Sequence, residues 1–196
     1  MINDCTAVIL CGGKSSRMGY DKAFLRTETG MLLTITINCL QAIFSNVVLS
    51  TDENDKFKNI SELSNIAKVS DIFIEKGPMG AIHASLTYLA TPYIFIVPCD
   101  MPVINIELIL DMYKNIGNSD IQICKHNNII EPLFGFYKKS CIDIFERYLI
   151  EGNYKIRMTF KELNVHFYNI DTYNIHMEKV FWNLNTLEDV ALWKKS

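Results

Sequence analysis

The sequence predicts an α/β protein with a mainly parallel central sheet and helices on both faces. Three observations carry this. Short apolar runs alternate with segments whose apolar residues recur every three or four positions over most of the 196 residues, the pattern of strands joined by crossover helices. One run, Tyr93-Ile94-Phe95-Ile96-Val97, is apolar throughout, as a central strand buried on both faces must be. A glycine-rich loop directly follows the first strand, and open parallel sheets bind ligands at such edges.

Thr6–Leu10 is the first strand, and its loop runs to about Asp21. A short apolar piece, Ala23–Leu25, precedes a turn at Thr29-Gly30. Met31–Phe44 reads as a helix, with Leu33, Ile37, Leu40 and Phe44 at helical spacing. Ser45-Asn46 breaks it before a second strand, Val47–Ser50. Asp52–Ser64 is polar and holds a short helix, and Ile66–Val69 is a third strand. Asp71–Gly80 forms a second loop, in which Pro78 suits the first turn of a helix over Met79–Leu89. The fourth strand, Pro92–Val97, stops at Pro98-Cys99-Asp100-Met101-Pro102. Asn105 caps a helix over Ile106–Asn115. Asp120–Cys124 and Leu133–Tyr137 are strands, with a turn at Asn127-Asn128 between them. Ser140 caps a helix over Cys141–Ile150, Lys155–Leu163 is helical, and Val165–Ile170 is the last strand. Thr186 and Asp189 resemble a capping box for a final helix, Leu187–Lys194. Right-handed crossovers place the loops after the first and fourth strands on one edge of the sheet.

Composition narrows the function. With 49% apolar and 21% charged residues, the chain reads as a soluble globular protein, one domain over 1–196, with no repeat or linker. A net charge of −3 argues against a nucleic-acid binder with a broad basic face. No run approaches about 20 uninterrupted apolar residues, so no membrane span is expected. Met1–Cys5 lacks a cationic leader segment. The six cysteines form no C-x-x-C pair and read as reduced thiols in a cytoplasmic protein. No Ser–His–Asp or Cys–His arrangement suggests a hydrolase.

The chemistry concentrates in Leu10-Cys11-Gly12-Gly13-Lys14-Ser15-Ser16-Arg17-Met18-Gly19-Tyr20-Asp21-Lys22. Glycines let backbone N–H groups approach an anion. Arg17 and Lys22 add charge that phosphate oxygens can use. The spacing fits neither the Walker loop nor the dinucleotide fingerprint. Asp100 follows the fourth strand, so its carboxylate should stand beside this loop. A carboxylate there needs a partner, and Mg²⁺ held by one or two carboxylates and substrate phosphates is a natural one. Asn185, or less favourably Asn183, offers a second ligand. Asp71 could hold a substrate group or a base, Lys76 could be a plain surface charge, and Gly77 and Gly80 let the second loop pass close to a ligand. His83 reads as structural, and His126, His166 and His176 have no evident partners in the sequence. These parts suffice for nucleotidyl transfer, in which a phosphate oxygen attacks the α-phosphorus of a nucleoside triphosphate and expels pyrophosphate.

Four blocks resemble the molybdenum cofactor guanylyltransferase family, the MobA family. They are Leu10–Lys22 (L-x-G-G-x-S-x-R-M-G-x-D-K), Gly77-Pro78-Met79-Gly80, Val97–Pro102 with its P-C-D-x-P, and Asn183–Asp189 with N-x-N-T. Pro132-Leu133 also fits a family segment. The resemblance implies a three-layer Rossmann-like nucleotidyltransferase fold. It implies GTP and molybdopterin as substrates, Mg²⁺ as cofactor, action as a monomer, and transient contact with other molybdenum cofactor biosynthesis proteins. By position, Leu10, Cys11, Gly12, Gly13, Lys22, Asp52, Asp71 and Asp100 would bind nucleotide. Arg17, Lys22 and Asp100 would be catalytic, and Asp100 with Asn185 or Asn183 would hold the metal. Cys11 replaces the usual Ala and Leu187 the usual Pro. Asp52 is the nearest counterpart of an Asn after the second strand, and Glu131 stands where a His is common. The cytidylyl and sugar-phosphate branches of the same fold stay open, to be decided by Asp52 and the second loop. A nucleotide-binding adaptor without catalysis also stays open.

Overall fold

The computed structural model describes residues 1–12, 22–27, 30–52, 56–171, 181–182, 184 and 187–193. Its centre is a seven-stranded sheet built from β1 (Ile2–Leu10), β4 (Phe44–Thr51), β5 (Ala67–Ser70), β6 (Tyr93–Pro98), β7 (Ile121–His126), β8 (Ile129–Lys138) and β9 (Val165–Asn169). Two short strands, β2 (Arg26–Thr27) and β3 (Gly30–Met31), pair with each other outside it. The order is β5-β4-β1-β6-β8-β7-β9. Neighbours pair in parallel except around β8, which runs antiparallel to both β6 and β7.

Alternation along β1 sorts the two cores. Ala7 and Ile9 face α1 (Leu32–Gln41) and α3 (Ile106–Lys114), together with Phe95 and Val97 of β6. Val8 and Leu10 face α2 (Gly77–Tyr88) and α4 (Ile142–Ile150), together with Ile94 and Ile96. Helices therefore cover both faces, giving the expected three layers. Removing these side chains from water is the main favourable term, about 2–3 kcal/mol for each fully buried large residue. Phe95 anchors the first core, its ring 4.9 Å from Phe136, 5.1 Å from Phe134 and 5.6 Å from Phe44. The last helix, α5 (Leu187–Trp193), brings Trp193 against a small cluster of Leu25, Leu32 and Leu184.

Several element limits differ from the sequence expectation, each for a physical reason. The helix expected to reach Phe44 ends at Gln41, because the same apolar spacing serves the next strand and Phe44 stacks on Phe95. β1 begins at Ile2, whose N–H bonds the Ile43 carbonyl. Ser140 caps no helix. It lies in a 3₁₀ turn ahead of α4, and its hydroxyl donates to the Asp120 carboxylate. The helices expected within 52–64 and 155–163 are 3₁₀ turns, Ser61–Leu63 and Ile156–Lys161. Asn105 does cap α3, its Oδ1 accepting the Leu108 N–H at 2.8 Å. The final helix starts as expected, while the Thr186 of its expected capping box lies outside the described residues.

β8 is twice the expected length, and its irregularity positions the site. From Lys138 to Gly135 it pairs with both β6 and β7. The register with β7 then jumps from Ile123↔Gly135 to Cys124↔Glu131, leaving Pro132, Leu133 and Phe134 without β7 partners. Pro132 has no N–H to give a ladder, which suits it to such a bulge. The buried Tyr137 hydroxyl donates to the Pro132 carbonyl and staples the bulge. Beyond Gly135, β8 leaves β6, and the β7–β8 hairpin continues as a wing backed on its β7 side by β9. It closes at Asn127-Asn128, both at positive φ (44° and 62°), a conformation Asn tolerates in tight hairpin turns.

Gly135 stands where the backbones crowd most. A Cβ there would lie 2.3 Å from the Gln122 carbonyl oxygen and 2.7 Å from Ile123 Cγ2. Gly135→Ala is expected to lower stability by about 2–3 kcal/mol, read as a fall in the urea midpoint. An unchanged midpoint would contradict this packing.

Candidate functional site

The strand order changes direction at β1. The chain lays β4 and β5 to one side of β1, then crosses to place β6 on the other. Such a switch point leaves a crevice at the carboxyl ends of the two central strands. Leu10 pairs with Pro98 in the final register position. One further bond, from the Cys99 N–H to the Leu10 carbonyl at 3.1 Å, carries the pairing past the strand ends. On the other side the Cys11 N–H bonds the Ser50 carbonyl at 2.8 Å. The start of the glycine-rich loop is thus held between its two neighbouring strands.

A cleft of about 890 Å³ opens here. Leu10, Cys11, Gly12, Lys22, Asp52, Asp71 and Asp100 all line it. Residues far apart in sequence therefore converge as the motif reading expects. Gly13, Arg17, Asn183 and Asn185 lie outside the described residues. Lys22 leaves a 3₁₀ turn, Lys22–Phe24, and its Nζ meets Asp100 Oδ2 at 2.8 Å. The two side chains are 22% and 14% exposed, so the ion pair sits partly out of water at the centre of the cleft. Ala23 behind it is fully buried, and Phe24 meets Phe57 edge-on; these contacts aim the lysine. The Leu184 N–H donates to the Asp100 carbonyl at 3.0 Å, so the described residue between Asn183 and Asn185 in sequence is tied to Asp100.

The β4–β5 side of the cleft is acidic. A Cβ on Gly12 would lie 3.4 Å from both Asp52 Cγ and the Asp52 amide nitrogen, so the absence of a side chain lets the loop pass against Asp52. Asp71 Oδ1 is buried and has no hydrogen-bond partner among the described residues. Burial, and then repulsion from Asp52, raises the Asp71 carboxyl to about 6. Gly77 and Pro78 open α2 against the cleft. Gly80 instead packs on the loop, where a Cβ would lie 2.9 Å from the Phe73 carbonyl oxygen. Lys76 stays out of the cleft lining, with Nζ 4.7 Å over the Tyr154 ring. His83 is structural as expected, buried in α2 edge-on to Phe73, and burial lowers its pKa.

The far side of the cleft is the hairpin wing, which the motifs barely announce. Ile129, Ile130, Glu131, Pro132, Leu133 and Phe134 line it, with Arg157 and Phe181. His126 finds two partners here. Its Nε2 lies 3.3 Å from Glu131 Oε1, and its ring stacks on Phe181 at 5.2 Å and 5°. Lys56, also unforeseen, donates from Nζ to the Cys11 carbonyl. The alternation and the Asn-Asn turn could have announced the hairpin; nothing in the sequence announces the bulge that turns it over the cleft.

Among known families, that of the MobA-like NTP transferase domain matches residues 7–166. The chain belongs to that family. The match runs from β1 to the start of β9 and so covers most of the cleft. The curated relatives span the MobA-like chain nearly end to end. A molybdenum cofactor guanylyltransferase of Syntrophotalea carbinolica is 32% identical over 97% of this chain and 90% of its own. One of Campylobacter jejuni subsp. doylei is 33% identical over 98% and 97%. Among solved structures, a molybdopterin-guanine dinucleotide biosynthesis protein A of Archaeoglobus fulgidus superposes with a TM-score of 0.79 at 24% identity, covering 97% of each chain. The fold class is as the sequence predicts. None of the six cysteines forms a disulfide. Among the described residues no helix is long and apolar enough to cross a membrane.

The Asp71 carboxyl yields a test. Its pKa rises from 3.8 to about 6 on folding, so the native state resists ionising it. Stability relative to a neutral side chain is therefore lost as pH rises from about 4 to about 6 and stays lost above that. Asp71→Asn is expected to raise stability at pH 8 by about 1 kcal/mol once solvent contact is discounted, read as a higher melting temperature, and to change it little at pH 4. An equal effect at both pH values would contradict the buried, repelled carboxyl.

Proposed function

We propose that this chain is a molybdenum cofactor guanylyltransferase, transferring GMP from GTP to the terminal phosphate of molybdopterin and releasing pyrophosphate. The observation that carries this is the convergence of the loop start, Lys22 and Asp100 on one cleft at the β1–β6 switch point. A phosphate oxygen of the acceptor attacks the α-phosphorus of GTP, the bond from that phosphorus to the bridging oxygen breaks, and pyrophosphate leaves. Such a transfer needs no protein nucleophile; it needs two substrates held in line and charge placed where phosphate oxygens gain it. Backbone N–H groups from Gly12 and Gly13 would cradle phosphate. Lys22 and Arg17 would neutralise charge on the transferring and leaving groups.

The site suits Mg²⁺. Asp100 is a hard oxygen donor with one oxygen on Lys22, and its carbonyl accepts from the N–H of Leu184, the residue between Asn183 and Asn185 in sequence. Among the described residues no three His, Cys, Asp or Glu side chains close a cage around a metal. Mg²⁺ does not require one, since it keeps waters and shares substrate phosphates. Asp100, with Asn185 or Asn183, would hold the ion, which supplies Lewis-acid charge at the phosphates when bound.

The paired carboxylates Asp52 and Asp71 favour guanine as the base. Guanine offers two adjacent donors, N1–H and the 2-amino group, to acceptors such as these. Cytosine presents two acceptors and a single amino donor on the same edge, and meets repulsion. Reduced thiols fit a cytoplasmic reaction, and partners that hand over so reactive an acceptor are implied.

Pyrophosphate release with each nucleoside triphosphate, Mg²⁺ and molybdopterin tests the assignment. GTP is expected to support turnover and chelation to stop it. Asp100→Asn should lower kcat by about 10³-fold or more, as losing a principal charge partner of a transition state does. Tight nucleotide binding without turnover would support an adaptor instead, and a preference for CTP would overturn the base assignment.

A further inference from the structure

The cleft has two arms, and the strand order places them on opposite sides of the Lys22–Asp100 pair. Asp52 follows β4 and Asp71 follows β5, on one side of β1. Glu131 lies on β8, beyond β6 on the other side. Because β8 runs antiparallel, its amino-terminal half reaches the same edge as the carboxyl ends of β1 and β6. The bulge at Pro132–Phe134 then swings this half away from β6 and makes it a wall.

That wall is apolar, from Ile130, Pro132, Leu133 and Phe181, apart from one carboxylate and one guanidinium. Glu131 is 27% exposed and His126 16%. His126 stands within hydrogen-bond reach of Glu131 and lies flat on Phe181, which itself packs edge-on to Phe134 at 5.4 Å. Glu131 is thus a held carboxylate, positioned from behind by a stacked ring. Arg157 is fixed across the wing by donating to the Ile130 carbonyl at 3.2 Å. A sugar would need many polar partners here, whereas a flat heterocycle needs apolar faces and a few placed acceptors.

We propose that the hairpin wing is the acceptor subsite and that Glu131 is its specificity-determining residue. It reads the 2-amino-4-oxo edge of a pterin through two N–H groups, with His126 as its positioning residue. This rests on the pterin acceptor proposed above. The consequence is symmetrical. Guanine and pterin present the same pair of adjacent donors, so each arm meets its ring with a carboxylate, Asp52–Asp71 for the nucleotide and Glu131 for the acceptor. The reacting phosphates then meet at Lys22 and Asp100 between them.

Two fluorescent probes separate this subsite from the catalytic assignment, because they bind without turnover. 6-Carboxypterin carries the 2-amino donor; 6-carboxylumazine has a carbonyl in its place. The wild-type protein is expected to prefer the pterin at least tenfold, since a site built to accept hydrogen bonds rejects an analogue that lacks the donor. Glu131→Gln, nearly isosteric and checked by its melting temperature, should abolish that preference. In turnover it should raise the acceptor KM about tenfold and leave the GTP KM within twofold. His126→Gln should weaken the pterin while keeping the preference. Equal binding of both probes by the wild type, an unchanged preference in Glu131→Gln, or competitive displacement of the pterin by GTP would overturn the proposal. If no acceptor turns over yet the probes still discriminate through Glu131, the subsite stands and the transferase assignment falls.

Discussion

The site depends on the parallel pairing of β1 with β6. That pairing brings the residue after one apolar run, Cys11, beside the residues after another, Cys99 and Asp100, across nearly ninety positions of chain. Both strands are buried on both faces, and their hydrogen bonds continue one step past the formal strand ends. The loop start and the carboxylate are therefore held by the same ladder that holds the core. Lys22 closes the arrangement from a turn fastened by Ala23 and Phe24. A charge pair positioned this way loses little order when substrate arrives, which is what electrostatic catalysis of phosphoryl and nucleotidyl transfer requires.

The second constraint is the break in β8. An unbroken antiparallel strand would have kept pairing with β6 to its end and sealed the sheet over the crevice. Gly135 allows a last close approach to Gln122, Pro132 declines a ladder bond, and Tyr137 fastens the displaced carbonyl. The result is a wing that parts from β6 where the cleft needs a wall. The fold thus spends regular pairing on one half of β8 and site geometry on the other.

Much of this was legible in the sequence. The α/β class, the strands β1, β4, β5 and β6, the Asn105 cap and the convergence of Leu10–Gly12, Lys22 and Asp100 all follow from apolar periodicity and from residue types whose chemistry is unambiguous at a strand end. The limits of α1 were not, because Phe44 satisfies a helical and a strand pattern equally. The wing was not legible either, because a bulge is decided by tertiary pairing and Pro132 alone could equally mark a strand start. His126 shows why site residues on such an element are hard to foresee. Its partners are Glu131 across a turn and Phe181 some fifty residues on, and no local spacing announces either. Asp71 was visible as a candidate, but its unusual proton affinity comes from burial and from Asp52, which only the fold brings near.

On the function proposed above, nucleotide and acceptor occupy opposite arms of one cleft and meet at the Lys22–Asp100 pair. A crystal structure with a non-hydrolysable GTP analogue and Mg²⁺ tests it most directly. Phosphates are expected on the Gly12–Gly13 loop and Lys22, the cation on Asp100, and the guanine edge on Asp52 and Asp71, with the wing left open. Guanine seated against Glu131 and Phe181, or phosphates away from Lys22, would contradict it.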